Sequence, residues 1–450
     1  MIDLKVDPAA EPRKPTKHRS LLPEILQKNR HLSGQSIPAK NAYNKDIANV
    51  VYYGHYFPMP HLRQRYALGN LKKLAALWPV VGLLGPRQSG KSTLFRDLLL
   101  LGAPKSLDHI EIRDEARRSP LSFLEKLPRP ALIDEIQKAP ELFDAIKLRV
   151  DERRIPGSFY ITGSSGFSSR IGIRESLTGR MGIQELLPMV LGELHQKPFL
   201  HHKSWSATGH RFGIQEIMPA LLTGGMPVPA FLREIDQRDQ YWTSWLQTLL
   251  YRDLSPYFPR GFDPDLAMKI LLRMASVMKE GELPTLKHFK DPARKVRSYL
   301  DAMQELFLVR RIPCHEAGTG KEVWLFFDSG LAAHLMGQTE GEGPTLSLAR
   351  HFLWNERAAQ FLYRGKHFRR EYIKSTQGAP VDFVTEDQIP LRIVPSASDV
   401  TRRLRVEERA VLGAMKRLKS KHGYLLAPVE SGFLPPKSGG VGVLPWGVWS

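Results

Sequence analysis

Cysteine is almost absent: Cys314 is the only one in 450 residues. An intrachain disulfide and a cysteine-built zinc cluster are both excluded by that count. Long apolar runs are missing too, and none approaches the roughly 20 residues that a membrane-spanning helix needs. The opening MIDLKVDPAAEPRKP lacks the apolar segment of a secretory signal. The expectation is a cytoplasmic chain with no membrane partner. Acidic residues are scarce beside basic ones, 46 against 65, which leaves a formal charge of +19. Such an excess favours polyanionic partners, nucleic acid above all, although a solvated basic surface gives the same count. His195, His201, His202 and His210 lie in a loop-like stretch at spacings that suit no common metal motif, and no metal is assigned to them. No solenoid-type repeat is present.

What the chain does have is a glycine-rich turn between a strand and a helix. Residues 78–85, WPVVGLLG, form a short apolar run ending on glycine, which predicts a buried parallel strand, and residues 93–101 read as a helix. Between them GPRQSGKS has the spacing of a phosphate-binding loop, whose backbone N–H groups and helix N-terminus cradle phosphates. The residues expected to hold a nucleotide are Gly85, Pro86, Arg87, Gln88, Ser89, Gly90, Lys91, Ser92 and Thr93. Lys91 is expected to reach the β- and γ-phosphates and Ser92 to ligate Mg²⁺.

Downstream, PALIDEIQKAPELF at 130–143 supplies a second buried strand over Ala131, Leu132 and Ile133. Asp134 at its end is expected to hold the Mg²⁺ side of the site, and Glu135 to orient and deprotonate an attacking water. Residues 105–108 predict another strand, 114–127 the crossover helix, 141–154 the next helix, and 158–165 a fourth strand ending in Thr162, Ser164 and Ser165. Ser164 is the candidate there to sense the γ-phosphate or position the water. Arg170, Arg174 and Arg180 follow, and Arg180 is the first candidate for an arginine that offsets charge on a transferring phosphoryl group. The alternative for Arg180 is a surface pair with Glu175 or Glu185. The expected catalytic set is therefore Glu135, Lys91 and Arg180, with Ser92 and Asp134 for the metal. An extra strand between the loop strand and the acidic strand, with a glutamate after the aspartate, points to AAA-like ATPases. No N-K-x-D guanine-reading motif follows, so ATP is the expected nucleotide.

Several further stretches extend the pattern: SLTGR, LLPMVLGEL, GGMP, YRDL (251–254), SYLDAMQELFLV, FFDSGLAAHLMG and VDFV. With these the chain resembles the AAA-type ATP-binding proteins of bacteria and archaea that carry a C-terminal domain of the restriction-endonuclease kind. The resemblance implies an α/β P-loop core of the ASCE division with a parallel sheet, a winged-helix module and a nuclease-like α/β domain. The expected division is a basic flexible arm at 1–58, the ATPase core at 59–194, a helical extension at 195–262, a winged-helix-like module at 263–315 and the nuclease-like domain at 316–450. In the winged-helix module Arg294, Lys295 and Arg297 would face phosphates or bases, with Leu300, Met303, Leu306 and Phe307 as core.

The C-terminal part departs from the family. A nuclease of this kind needs an acidic pair and a nearby lysine around Mg²⁺. Asp382 remains and Glu356 is a candidate upstream acid, but the E-x-K element is replaced by Arg392 and apolar neighbours. The expectation is a nuclease fold without nuclease activity. Its basic clusters, Arg364, Lys366, Arg369 and Arg370, then Arg402, Arg403, Arg405 and Arg409, would suit a phosphate backbone. The second cluster also reads as the wet face of a helix over about 399–421, with Val400, Leu404, Val411, Met415 and Leu418 inward. Together these features predict a Mg²⁺-dependent ATP-binding and hydrolysing switch, acting on nucleic acid or in a DNA-handling or defence complex, with a protein partner or a homo-oligomer. The alternative is a nucleotide-gated scaffold with negligible turnover.

Overall fold

The structure, a computed structural model, describes residues 50–52, 55–57, 63–99, 101–165, 177–198, 212–338, 346–363, 372–373, 380–385, 387–394, 397–429, 432, 434–435 and 438–447. Of residues 50–57, 98, 360, 361 and 397–405 it describes the backbone alone. Most of the expected arm lies outside these ranges. Its last residues pair as antiparallel strands, β1 (Val50–Tyr52) with β2 (His55–Phe57). Helix α1 (Ala67–Leu77) then leads into the sheet.

The apolar run before the glycine-rich turn forms β3 (Val80–Leu84), with every residue buried. Its side chains alternate between two cores. Val81 and Leu83 join Leu71, Leu94, Phe95 and Tyr160 on one face. Val80 and Leu84 join Ile133, Leu142, Ile146 and Ile161 on the other. A strand covered on both faces has no polar alternation to show, which is why the sequence reads as a continuous apolar run. The remaining strands are β4 (Lys105–Ser106), β5 (Ala131–Asp134), β6 (Phe159–Gly163) and β7 (Met181–Glu185). The sheet order is β4-β5-β6-β3-β7, and all neighbours run parallel. β6 thus sits between the loop strand and the acidic strand. Parallel pairing brings the C-terminal ends of all five strands to one edge, where open α/β sheets bind ligands.

Two helices differ from expectation. The helix after the glycine-rich turn is a single turn, α2 (Lys91–Thr93), that widens at once into a π-helical turn at Leu94–Leu98. The crossover is two helices, α3 (Ile110–Arg118) and α4 (Pro120–Glu125). Proline disfavours the helical conformation at the residue before it, and Ser119 leaves the helical region at φ −140°, ψ 68°; Pro120 then opens the second helix. α5 (Glu141–Glu152) returns along the sheet.

Beyond the sheet come α6 (Leu191–Leu194), α7 (Ile214–Thr223) and α8 (Ile235–Thr248). α8 continues without a break into a second π-turn, Leu249–Leu254, and a 3-10 turn, Ser255–Tyr257. α9 (Pro264–Lys279) follows, its N-terminus capped where Asp263 Oδ1 accepts from Leu266 N at 2.9 Å. A 3-10 turn at Leu286–His288 precedes α10 (Ala293–Glu305), which leads into the antiparallel pair β8 (Val309–Ile312) and β9 (Val323–Phe326). Leu300, Met303 and Leu306 are buried, and Phe307 is half-buried. Arg294 and Lys295 are exposed, whereas Arg297 is paired with Asp301 and Glu322. α11 (Ser329–Met336) and α12 (Leu346–Tyr363) lead to a second sheet, β10 (Phe383–Val384), β11 (Pro390–Ile393), β12 (His422–Ala427) and β13 (Gly440–Pro445) in that order. β10 is antiparallel and the rest are parallel, with α13 (Ala397–Leu418) between β11 and β12. Val411, Met415 and Leu418 of α13 are buried as expected; the side chains of Val400 and Leu404 lie outside the description. One hydrophobic cluster runs from Leu83 in the first sheet through Trp245, Leu271 and Leu300 to Leu391 and Trp446.

Candidate functional site

The glycine-rich turn leaves β3 at Gly85, and two glycines shape it for different reasons. A Cβ at Gly85 would lie 2.6 Å from the Leu186 carbonyl oxygen and 3.2 Å from Ser89 Oγ. Gly90 sits at φ +92°, where side chains are strained, and Gln88 also takes a positive φ of 63°. Lys91 then starts α2. Its ammonium is buried and donates to the Gly85 and Pro86 carbonyls at 3.1 and 2.9 Å. Burial pulls it below the ordinary lysine range, while the Glu135 and Asp134 carboxylates pull the other way and Arg87 adds to the lowering. Ser89 Oγ is buried with no protein partner, an orphaned hydroxyl inside the turn.

The acidic strand meets this turn from the side. Asp134 Oδ2 accepts from Ser92 Oγ at 3.1 Å, and its other oxygen accepts from Thr162 Oγ1. Glu135 follows in the left-handed region at φ 57°, which turns its side chain away from the strand direction. Its backbone N–H donates to Thr162 Oγ1 at 3.4 Å. One oxygen, Oε2, accepts from Ser164 Oγ at 2.8 Å, Ser164 N at 3.3 Å and Gln137 Nε2 at 2.5 Å. Lys91, Ser92, Asp134, Glu135 and Ser164 therefore come together at the C-terminal edge of the sheet. The serine hydroxyl and aspartate carboxylate are hard oxygen donors, the kind that hold Mg²⁺ when phosphates and water complete its shell. Among the described residues there is no group of three or more His, Cys, Asp or Glu side chains that could hold a metal on its own.

Arg180 is not part of this assembly in its own subunit. Its carbonyl accepts from Val80 N at 3.2 Å, which puts it at the N-terminal end of β3, opposite the phosphate-binding turn. At about 3.3 Å per residue the strand separates the two by more than 10 Å. Of the two expected glutamates, Glu185 is not the partner that is described for it, and Glu175 lies outside the described residues. The guanidinium forks onto Asp151, with Nε to Oδ1 at 2.6 Å and Nη2 to Oδ2 at 2.8 Å. Glu185 pairs with Arg310 instead. Arg170, Arg174 and Glu175 lie outside the described residues.

The sequence left several site residues unmarked. Arg65 donates to the Ser89 carbonyl at 3.0 Å and to the Leu187 carbonyl at 2.6 Å, and its Nε lies 3.2 Å from Glu193, so it braces the turn from outside. Gln137 reaches both Glu135 and Ser164 Oγ. α8 grips the turn as well. Trp245 Nε1 donates to the Arg87 carbonyl at 3.3 Å, and Tyr241 OH donates to Gln88 Oε1 at 2.9 Å. A cavity of about 350 Å³ opens there between Arg87, Gln88 and the α8 side chains. Asp253, beyond the end of α8, accepts from Arg87 Nη1 at 3.4 Å. Only the YRDL stretch signalled that region.

The C-terminal acids are occupied elsewhere. Asp382 Oδ1 accepts from the buried Arg350 at 2.5 Å, and Oδ2 accepts from Ile393 N at 2.8 Å. Glu356 turns away to accept from Leu191 N at 2.9 Å, and burial raises its carboxyl well above the ordinary range. Arg392 is bonded to Glu407 and to the Pro380 carbonyl. Residues 364–370, and His201, His202 and His210, lie outside the described residues, as do the side chains of Arg402, Arg403 and Arg405. Arg409 is exposed. His195 packs against Phe212 with ring centroids 5.3 Å apart.

Comparison with known proteins agrees with this geometry. Residues 78–195, which hold β3 to β7, match the model of an AAA domain, and residues 214–342 match a domain of unknown function (DUF8612). Over 290 residues the chain is 29% identical to an uncharacterized protein of Mycobacterium tuberculosis and to another of Mycobacterium bovis. The alignments cover 61% of this chain and 60% of each relative, so the chain spans less than two thirds of the curated relatives it matches. Residues 78–195 thus form an AAA-type P-loop domain, which implies nucleotide binding. No described helix is long and apolar enough to cross a membrane.

Proposed function

We propose that the protein is a Mg²⁺-dependent ATPase acting as a nucleotide-driven switch on nucleic acid or in a DNA-handling or defence complex. The observation that carries this reading is the convergence of Lys91, the Ser92–Asp134 pair and the Ser164-held Glu135 at one edge of the parallel sheet. Lys91 exchanges its two carbonyl partners for the β- and γ-phosphates of ATP. Ser92 and Asp134 hold Mg²⁺, which when bound offsets the charge of the phosphates. Glu135 accepts a proton from water as the water oxygen bonds to the γ-phosphorus. The bond from that phosphorus to the β,γ-bridging oxygen breaks, and ADP and phosphate leave.

The output is binding rather than cutting. α9, α10 and the β8–β9 pair follow the order of a winged-helix module, and the exposed Arg294 and Lys295 suit phosphates. The second sheet with α12 and α13 suits a nuclease-like fold. Asp382 is already held by Arg350 and a backbone N–H, and among the described residues no acidic cluster stands beside it for a metal. Arg180 is half-buried and forked onto Asp151 at the far end of β3, so any part it takes in turnover is in trans, toward the site of a second copy.

The test is ATP turnover by the protein and its Glu135→Gln variant, with and without duplex DNA, at two salt concentrations. Turnover that depends on Glu135 and rises with DNA at low salt is expected. Nucleotide binding without Glu135-dependent turnover would leave the nucleotide-gated scaffold in its place.

A further inference from the structure

The Tyr251-Arg252-Asp253-Leu254 stretch is a place where the helical layer touches the phosphate-binding turn, and the mechanism above does not use it. α8 changes there to π geometry, which costs regularity and is frequent at functional sites. Leu249, Leu250 and Leu254 anchor the wide turn in the core, while the Arg252 side chain remains 55% exposed. Asp253 carries an unusual load. Its Oδ2 accepts from Arg87 Nη1 of the phosphate-binding turn at 3.4 Å and from Arg252 Nη2 at 3.3 Å, and its Oδ1 accepts from Arg252 Nε at 2.8 Å. One carboxylate thus serves two guanidiniums, leaving a surplus positive charge at the mouth of the site. The field of Arg252 also reaches Asp108 and Glu135, at the C-terminal edge of the sheet. Among the described residues, other cations there are differently committed: Lys138 pairs with Asp108, Lys91 is bonded to two carbonyls, and Arg87 is held by Asp253. Arg252 is exposed, on the π-turn that departs from regular helix.

We propose that Arg252 is the catalytic arginine of this site, supplied from the same chain, and that Asp253 is its resting counter-ion. The assignment rests on the ATPase reading. With a triphosphate on the turn, Arg252 leaves Asp253 for the oxygens of the terminal phosphate and offsets the charge that moves onto them and onto the leaving oxygen; it forms no covalent bond. Asp253 keeps Arg87. Arginine suits this role because its planar fork bonds two phosphate oxygens at once. The same movement has a path outward. The π-turn runs through Ser255–Tyr257 to Phe258, whose ring stacks on Tyr299 of α10 at 4.3 Å.

The experiment uses the full chain with Arg252→Ala and Arg252→Lys, and reads kcat, KM and equilibrium affinities for a fluorescent ATP analogue, for ADP and for ADP with aluminium fluoride. The expected result for Arg252→Ala is a fall in kcat of about 10²-fold or more and a comparable weakening of the ADP–aluminium fluoride complex. Binding of ADP alone should stay within about threefold. Lysine should recover little, because it keeps the charge without the fork. Turnover and ADP–aluminium fluoride binding both within about threefold of the unsubstituted protein would overturn the assignment. Absence of Glu135-dependent turnover in the unsubstituted protein is a separate failure, that of the ATPase reading. Arg252 is then judged on affinity: loss of the preference for ATP over ADP in Arg252→Ala supports its contact with the terminal phosphate, and an unchanged preference overturns it. Arg252 is exposed, so its replacement leaves the core packing intact.

Discussion

Ser164 donates twice to one Glu135 oxygen, through its hydroxyl at 2.8 Å and its backbone N–H at 3.3 Å. That geometry separates two roles for the side chain. A serine that touches the γ-phosphate contributes to substrate binding, and its loss raises KM. A serine that aims a carboxylate contributes only once the water is attacked. The structure favours the second role, so Ser164→Ala should lower kcat about 10- to 100-fold, the worth of one hydrogen bond to a charged group, with KM nearly unchanged. Steady-state kinetics across ATP concentration decides the matter, and a raised KM at constant kcat would return Ser164 to the phosphate. At this scale the sequence was legible where chemistry sits inside a local motif. Ser92 and Asp134 are 42 positions apart, yet each ends or follows a recognisable strand. Arg180 stands away from the site of its own chain for a topological reason. Its Ser-Leu-Thr-Gly-Arg turn looks like a site loop, but β7 begins at that turn, which places it at the N-terminal edge of a parallel sheet. Asp253, 166 positions from its partner Arg87, had no motif of its own to announce the pairing.

Elements were legible to the extent that burial alone determines them. β3, β5 and β6 are covered on both faces and show as apolar runs. The π-turn at Leu249–Leu254 was not legible, because its buried Leu249, Leu250 and Leu254 satisfy an α-helical spacing equally well. The phosphate-binding turn has little room at Gly85. A methyl group at Gly85 would meet the Leu186 carbonyl oxygen at 2.6 Å, backbone that cannot swing aside as a side chain would. Gly85→Ala should therefore cost roughly 1–3 kcal/mol of stability, as overpacking does. By displacing β7 from the turn it should also weaken nucleotide binding about tenfold or more, since a misplaced cradle loses several hydrogen bonds at once. Denaturant midpoints and titration with a fluorescent ATP analogue test both effects. A variant with native stability and native affinity would show that the turn is looser than this contact implies.

Among the described residues one hydrophobic cluster reaches from the first sheet to Trp446, and buried ionisable groups beside it make stability depend on pH. His351 on α12 is completely enclosed and held at both nitrogens. Nδ1 donates to the Ser347 carbonyl at 2.7 Å, and Nε2 accepts from Phe326 N at 3.0 Å, so the neutral ring is satisfied and a protonated one would lose its acceptor. Burial accordingly lowers its pKa from the ordinary 6.5 to about 4. The unfolded chain takes up a proton near pH 6.5 that the folded chain refuses until about pH 4. Stability present above this window is lost as pH falls through it, by roughly 3 kcal/mol in all. Asp328, which caps α11, works in the opposite sense. Burial pushes its carboxyl from 3.8 up to about 6, against the backbone N–H groups of Gly225, Gly330 and Leu331 that bond the charged form. The folded chain then keeps a proton that the unfolded chain has released, and stability from this group is regained as pH falls from about 6 toward 3.8. The two oppose each other in the intact protein, and Glu356, whose carboxyl burial also raises, acts in the same sense as Asp328, so the unsubstituted pH profile does not isolate any one of them. His351→Gln removes one side of the balance while an amide can still accept from Phe326 N and donate to Ser347. Its stability deficit relative to the unsubstituted protein should be greatest above pH 6.5 and should shrink by about 3 kcal/mol by pH 4. Urea midpoints of the two proteins, compared at intervals from pH 7 to pH 4, measure that difference directly, because every other titrating group is common to both. A difference constant with pH would mean that His351 is protonated in the folded chain as readily as in the unfolded one, and that its enclosure on α12 is not what the packing indicates.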